Sequence, residues 1–471
     1  MFKKGILILF LLYFGKVSWA QSTFEKVIDT LGGGTALCIR ETFDGGFVYC
    51  GVSSQNGNDA LIVKLDSTGI IEWAKVYSGP SVEAATYIEQ TPDSGYIVNA
   101  LYDGGNFYSK SWLLRLNAQG DTLWTRIYSA GNGRTAVGNN NSLANFNNIF
   151  YGLGGNYESI SQNVEAFIIT TQSDGTLLTS KTHSLSPFGT SAWAIATTYY
   201  GFILAGGVGI TSGTSAINLI RTNPYGDTLW TKVYVLGQND GAFDVKQTPD
   251  SGFVVTGVAY NGLKVDLFLL KTNPDGNLIW SKLYSSFNGN EGYSVQNCSD
   301  NGFIMAGRIV NGSPLNSDLY LIKTDSIGDT LWTREYGGNG AEIGYYVNQT
   351  KNGGYIIAGT NGSVGNGGAY IIKTDSLGLV STSTGFAELN NPLQFTLYPN
   401  PTNGEFSIRL KGIANNASLE IYSGAGERLM QRTVCNNTIE TVDLMGEAQG
   451  IYLCVLKTGK QVYYRKLILC N

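Results

Sequence analysis

The chain has 471 residues, 14% of them charged and 43% hydrophobic, with 61 glycines and a single histidine. Charged residues usually make up about 25% of a soluble domain, so this composition points to a turn-rich β protein with little helix. The net charge of −5 argues against a nucleic-acid partner, and one histidine excludes a multi-histidine metal site.

The first residues carry the three parts of a secretory signal: Lys3 and Lys4, an apolar run from Ile6 to Phe14, and the small residues Ser18 and Ala20. Cleavage is expected between Ala20 and Gln21. Removing residues 1–20 leaves 28 basic against 36 acidic residues, a net charge of −8. The apolar run is shorter than the ~20 residues a spanning helix needs, so no transmembrane segment is expected. The six cysteines (Cys38, Cys50, Cys298, Cys435, Cys454, Cys470) form no CxxC pair. Cys38 and Cys50 flank one expected hairpin and are read as buried thiols, because a bridge between directly adjacent strands is geometrically awkward.

Residues 21–384 are governed by a repeat. A turn ending in Gly plus an aromatic recurs at Phe47, Tyr96, Tyr355 and the positions between, with spacings of 49 to 54 residues. A second landmark, tryptophan after a Gly-containing turn, stands at Trp73, Trp124, Trp230, Trp280 and Trp332, with Leu178 in its place in a degenerate third copy. The first landmark counts seven units, and the second recurs with the same period. Each unit reads as four short strands, with Asp or Asn opening a turn and Gly supplying positive φ. One such sheet cannot bury both faces, so neighbouring units must stack. The expected fold is therefore all-β, a seven-bladed β-propeller with the tryptophan filling the space between blades; an open solenoid is the alternative. Residues 24 to 28 match the last strand of a unit, and the seventh unit lacks its own. The N-terminal strand is thus expected to close the last blade.

A polar linker, 385–394, leads to a segment, 395–471, without the repeat. It opens with Tyr398-Pro399-Asn400-Pro401 and Gly404, and continues with Ile421-Tyr422 to Gly426, Gly450-Ile451-Tyr452 and Lys466-Leu467-Ile468. These four landmarks resemble the C-terminal sorting domain of Bacteroidota type IX secretion substrates. The resemblance implies a small C-terminal β-sandwich recognised by the secretion translocon and then removed by a sorting protease. The passenger would be released or attached at the cell surface after crossing the periplasm. Asp-Ser-aliphatic triplets such as Asp325-Ser326-Ile327 also resemble an O-glycosylation signal of that phylum, although a turn entering a strand explains the same residues.

Catalytic motifs are scarce, and neither a catalytic residue nor a cofactor is expected. His183 stands where other units have Tyr128, Tyr234, Tyr284 or Tyr336, which marks it as a structural substitute. Asp44, Asp93, Asp250 and Asp300 recur with the turns and are read as holding each unit. The run from Asp66 to Trp73 fails the spacing of a sialidase Asp-box, and Asn273 to Asn277 lacks the distant glutamate of a calcium loop.

The loops between second and third strands and between units vary, so recognition is expected on that face. Its candidate contacts are Tyr102, Phe107, Tyr108, Tyr157, Tyr260 and Lys264. The expected function is a monomeric secreted or surface binding protein for glycan or protein. The alternative is a secreted polysaccharide hydrolase or lyase using carboxylates in the central cleft.

Overall fold

The computed structural model describes residues 23–29, 34–54, 58–103, 109–131, 134–137, 142–158, 163–313, 316–363, 367–380, 394–411, 417–423, 427–434, 439–458 and 461–470. The expected signal segment with Ala20 and Gln21, the expected contacts Phe107 and Tyr108, nearly all of the expected linker, and Gly426 lie outside these residues. Two compact units are divided between Ser381 and Thr382.

In the larger unit the described residues form antiparallel sheets in chain order. Sheet I contains Gly34–Glu41, Phe47–Ser53, Asp59–Leu65 and Ile71–Tyr77. Sheet II contains Glu83–Gln90, Tyr96–Asp103, Ser109–Leu116 and Thr122–Tyr128. In sheet III two short segments, Arg134–Val137 and Leu143–Phe146, share the inner position beside Phe150–Glu158, followed by Val164–Gln172 and Leu177–His183. An eight-stranded sheet comes next, in which a parallel bridge, Ser215 to Asn239, joins two groups. Group IV runs from Ala194–Thr198 to Thr228–Tyr234, and group V from Asn239–Gln247 to Leu278–Tyr284. Sheet VI runs from Asn290–Asn297 to Thr330–Tyr336. Sheet VII holds Glu342–Gln349, Tyr355–Asn361 and Gly368–Thr374, and its outermost strand is Phe24–Ile28. That N-terminal strand pairs in register from Phe24 opposite Lys373 to Ile28 opposite Ala369, as its sequence had suggested.

Middle strands such as Asp59–Leu65 are buried along their whole length, because sheets pack on both of their faces. Outer strands such as Ile71–Tyr77 alternate between half-buried and exposed positions. First strands touch from group to group between III and VII, and Gly34–Glu41 of sheet I touches the first strands of both II and VII. The row of sheets thus returns to its start. An open solenoid would leave sheets I and VII apart.

The tryptophans sit between sheets as expected. Trp280 lies against Gly328 of the following sheet and meets Phe303 at 6.1 Å, and Trp332 repeats the arrangement with Gly378 and Tyr355. Phe24 takes the same role at the closure, against Gly69 and Phe47. Four residues after the tryptophan, a tyrosine hydroxyl donates to the same glycine's carbonyl: Tyr128 to Gly175 at 2.5 Å, Tyr234 to Gly276 at 2.5 Å and Tyr284 to Gly328 at 2.7 Å. In the degenerate copy His183 Nδ1 instead meets the Thr228 hydroxyl at 3.1 Å.

In the smaller unit, Gln394–Tyr398, Glu405–Lys411 and Ile439–Asp443 form one sheet. Arg428–Val434, Ala417–Tyr422, Gly450–Thr458 and Gln461–Leu469 form the other. Phe406, Ile408 and Val442 from the first share one apolar core with Leu419, Ile421, Cys454 and Leu467 from the second.

Candidate ligand-binding site

The first strand of most units carries a β-bulge, seen as a register break at Ala36/Cys38, Ala242/Asp244, Gly292/Ser294 and Gly344/Tyr346. A bulge leaves one residue unpaired and re-aims its side chain. Glycine in the second strand makes room for it. A Cβ on Gly307 would lie 1.8 Å from the Glu291 carbonyl oxygen, and one on Gly257 2.0 Å from that of Gly241.

The unpaired residues of V, VI and VII are Phe243, Tyr293 and Tyr345, and Trp193 holds the matching place just before the first strand of IV. Their rings form a continuous arc. Trp193 meets Phe243 at 5.0 Å, Phe243 stacks on Tyr293 at 5.4 Å with 15° between planes, and Tyr293 meets Tyr345 edge-on at 5.4 Å. All four are half-buried. The hydroxyl of Tyr293 donates to Glu291, whose other oxygen accepts from Arg308 at 2.7 Å. Burial first, then the Glu291 carboxylate, push the Tyr293 phenol above its usual range.

Trp193 also borders a cavity of about 360 Å³ with Phe188, Thr190, Ser191, Thr214 and Asn239. These residues come from the loop entering IV, its second-to-third-strand hairpin and the start of V, which is the variable face singled out from sequence. The expected contacts are dispersed among different surroundings. Tyr260 pairs in register with the cavity residue Asn239. Lys264, on the same hairpin, donates to the Ser286 carbonyl and lies 3.6 Å from Asp266. Tyr102 packs edge-on against Trp112 at 5.8 Å in sheet II, and Tyr157 pairs with Glu165 in sheet III. The arc was missed from sequence, although a signal existed: Trp193, Phe243, Tyr293 and Tyr345 recur 50 to 52 residues apart, while units one and two have Leu37 and Thr86 there.

The recurrent turn acids are structural. Lys64, Arg115, Lys271 and Lys323, from third strands, pair with Asp44, Asp93, Asp250 and Asp300. The Thr91 hydroxyl and the Arg115 guanidinium hold the Asp93 carboxyl at about 2. Burial, then Lys181, lowers the His183 imidazole, and among the described residues no acid pairs with it. Cys38 and Cys50 sit directly opposite each other as free, buried thiols. Groups of His, Cys, Asp or Glu able to hold a metal ion are absent among the described residues.

In the smaller unit the Tyr398 to Pro401 turn is fastened to the last strand. Asn400 Oδ1 accepts from the Ile468 amide at 2.9 Å, and Thr402 exchanges backbone bonds with Ile468 and Cys470. Tyr398 itself is 78% exposed. The Gly404 carbonyl accepts from the Leu444 amide at 2.9 Å, and the Tyr452 hydroxyl donates to the Ala448 carbonyl at 2.5 Å. Gly450 opens the strand that pairs with the Lys466 backbone. Cys454 is buried, which pushes its thiol up to about 12, whereas Cys470 is exposed.

Residues 396–470 match the secretion system C-terminal sorting domain family. The chain therefore carries the tail of a type IX secretion substrate, which implies export to the exterior or the cell surface. No helix among the described residues is long and apolar enough to cross a membrane. No curated protein matches the sequence. Among solved structures, the chain is similar to the Neurospora crassa Pan2 WD40 domain at 9% identity and TM-score 0.47, covering 72% of this chain and 89% of that one. A Pseudomonas aeruginosa periplasmic gluconolactonase is similar at 8% identity and TM-score 0.45, with coverage of 84% and 99%. Drosophila Semaphorin 2a is similar at 9% identity and TM-score 0.44, with coverage of 95% and 97%.

Proposed function

We propose that this chain is a secreted or surface-attached seven-bladed β-propeller that binds glycan on an arc of aromatic rings. The propeller would span 21–384 after loss of residues 1–20. The linker 385–394 would then join it to a sorting β-sandwich, 395–471, read by the translocon and a sorting protease through Tyr398 to Pro401, Gly404, Gly426, Gly450, Tyr452 and Lys466. Groups I to VII, their return contact and the seven landmark copies support the blade count.

The observation that carries the binding reading is the run of Trp193, Phe243, Tyr293 and Tyr345. Rings at about 5 Å spacing are typical of packed aromatic pairs. These rings, however, are not fully buried and among the described residues occur in only four units, so the scaffold's symmetry does not account for them. Aromatic faces carry negative charge density and attract the C–H face of a pyranose, while polar neighbours such as Glu291, Arg308 and Ser191 fix its hydroxyls. Tyr260 and Lys264 would rim the site, with Tyr102 and Tyr157 further along the same face.

The test is a glycan array probed with the secreted protein and its Phe243→Ala and Tyr293→Ala variants. Retention of a glycan subset, weakened about tenfold or more in each variant, is expected. Retention that is absent or indifferent to both substitutions sinks the reading. Release of sugar fragments would instead favour the hydrolase or lyase alternative.

A further inference from the structure

The first strands bring a second group of residues together, one to three positions beyond the bulges. Arg40 of sheet I, Tyr87 of II, Lys246 of V and Gln296 of VI line a cavity of about 230 Å³ together with Leu143 and Ile195. Its lining carries two positive charges and, among the described residues, no acid. Asp244, the partner of Lys246, lies outside the lining and is already engaged. One oxygen takes Lys246 and the Val245 amide, and the other takes the Val295 amide at 2.9 Å and the Ser294 hydroxyl at 3.3 Å. Glu89, within electrostatic reach of Arg40, accepts from Asn145 at 3.1 Å and is not part of the lining either.

Arg40 is the informative residue. Its cation sits over the rings of Tyr87 at 5.0 Å and Tyr346 at 4.8 Å, and it donates to the Tyr87 hydroxyl. Gln296 fixes the Tyr346 hydroxyl at 3.2 Å. Stacking accounts for the faces of the guanidinium but not for its edge, where the donors lie. There Nε is buried without a partner, and among the described residues no carboxylate comes within ion-pair distance. A partly buried guanidinium with no carboxylate partner, facing a second cation, is unfavourable for the ring by itself, since withdrawing charge from water costs free energy unless it is compensated. Burial, together with repulsion from Arg40, holds the Lys246 ammonium low against the pull of Asp244.

The geometry points to a site inside the ring for a small anion bearing a carboxylate or phosphate group, with Arg40 giving planar paired donors and Lys246 a point charge. Both groups match the fork of a guanidinium held by its faces. The volume lies below the ~300–1,000 Å³ of drug-sized pockets, which suits a ligand no larger than a single sugar acid or inorganic phosphate. The site shares no residue with the aromatic arc, so failure of glycan binding there leaves it standing.

The test follows the melting midpoint and binding heat of the full secreted chain with glucuronate, inorganic phosphate and uncharged glucose, at matched ionic strength. Glucuronate or phosphate should bind saturably with an affinity of about 1 mM or better, and glucose should not. The anion that binds identifies the source. Arg40→Gln should weaken binding about tenfold or more while glycan retention on the arc is unchanged; if that variant does not fold, Arg40→Lys, which keeps the charge and loses the fork, should weaken glucuronate by a similar factor. Absence of saturable binding by either anion to the unaltered chain overturns the proposal, and so does binding indifferent to both Arg40 substitutions.

Discussion

At the residue scale, the unit is held by a small set of contacts that recur between neighbours. A tryptophan covers a turn glycine of the next sheet, and a tyrosine four positions later bonds that glycine's carbonyl. Gly328 has a φ of +81°, and its Cβ would fall 2.8 Å from the Trp280 ring, so glycine satisfies both the turn and the packing. Tyr284→Phe removes one hydroxyl from this contact and should cost about 1 kcal/mol in chemical denaturation, leaving the ring's packing intact. The acid pairs behave differently because they are exposed. Asp93 titrates at about 2 against an ordinary 3.8. A depressed carboxylate adds stability above its unfolded value, and that stability disappears as pH falls from 3.8 towards 2. Asp93→Asn should therefore flatten the acid limb of the stability curve there, with a loss below ~1 kcal/mol at neutral pH, since the carboxylate is well solvated.

At the element scale, the bulged first strand decides where the rings of the arc lie. In each sheet that carries it, it turns one side chain out of the ladder, and a glycine on the second strand gives it space. Gly307→Ala would push a Cβ into the Glu291 carbonyl, so the bulge would have to shift or the backbone open. An unfolding experiment should show a loss of about 1–3 kcal/mol, and the near-ultraviolet dichroism of the Tyr293 and Tyr345 rings should change with it. Unchanged dichroism would show that the arc does not depend on the bulge.

At the scale of the whole molecule, closure and export are separate problems solved by opposite ends of the chain. Phe24–Ile28 supplies the outer strand of sheet VII, so the two ends of the ring are joined by backbone hydrogen bonds. Side-chain links reinforce that seam: Lys26 donates to the Gly69 carbonyl at 2.8 Å, and Glu41 accepts from the Lys351 amide at 2.8 Å. Export depends on the far end. Removing residues 396–470 should leave a folded ring that accumulates in the periplasm, visible by cell fractionation, with little reaching the surface or medium.

The repeat, the strand pattern, the closing strand and the sorting tail were legible in the sequence, because each is written as local chemistry at a fixed spacing. Glycine marks positive φ, alternation marks a strand, and a missing last strand at one end answers a spare one at the other. The arc and the cationic cavity were not legible as sites. Trp193, Phe243, Tyr293 and Tyr345 lie 50 to 52 residues apart, and Arg40 and Lys246 lie more than 200 residues apart, so nothing local relates them. Only the return of the sheets to their start brings residues from sheets I and V to one cavity, and only the bulge decides which way a side chain points. Both are consequences of packing the sheets face to face, a non-local condition that no single unit's sequence carries.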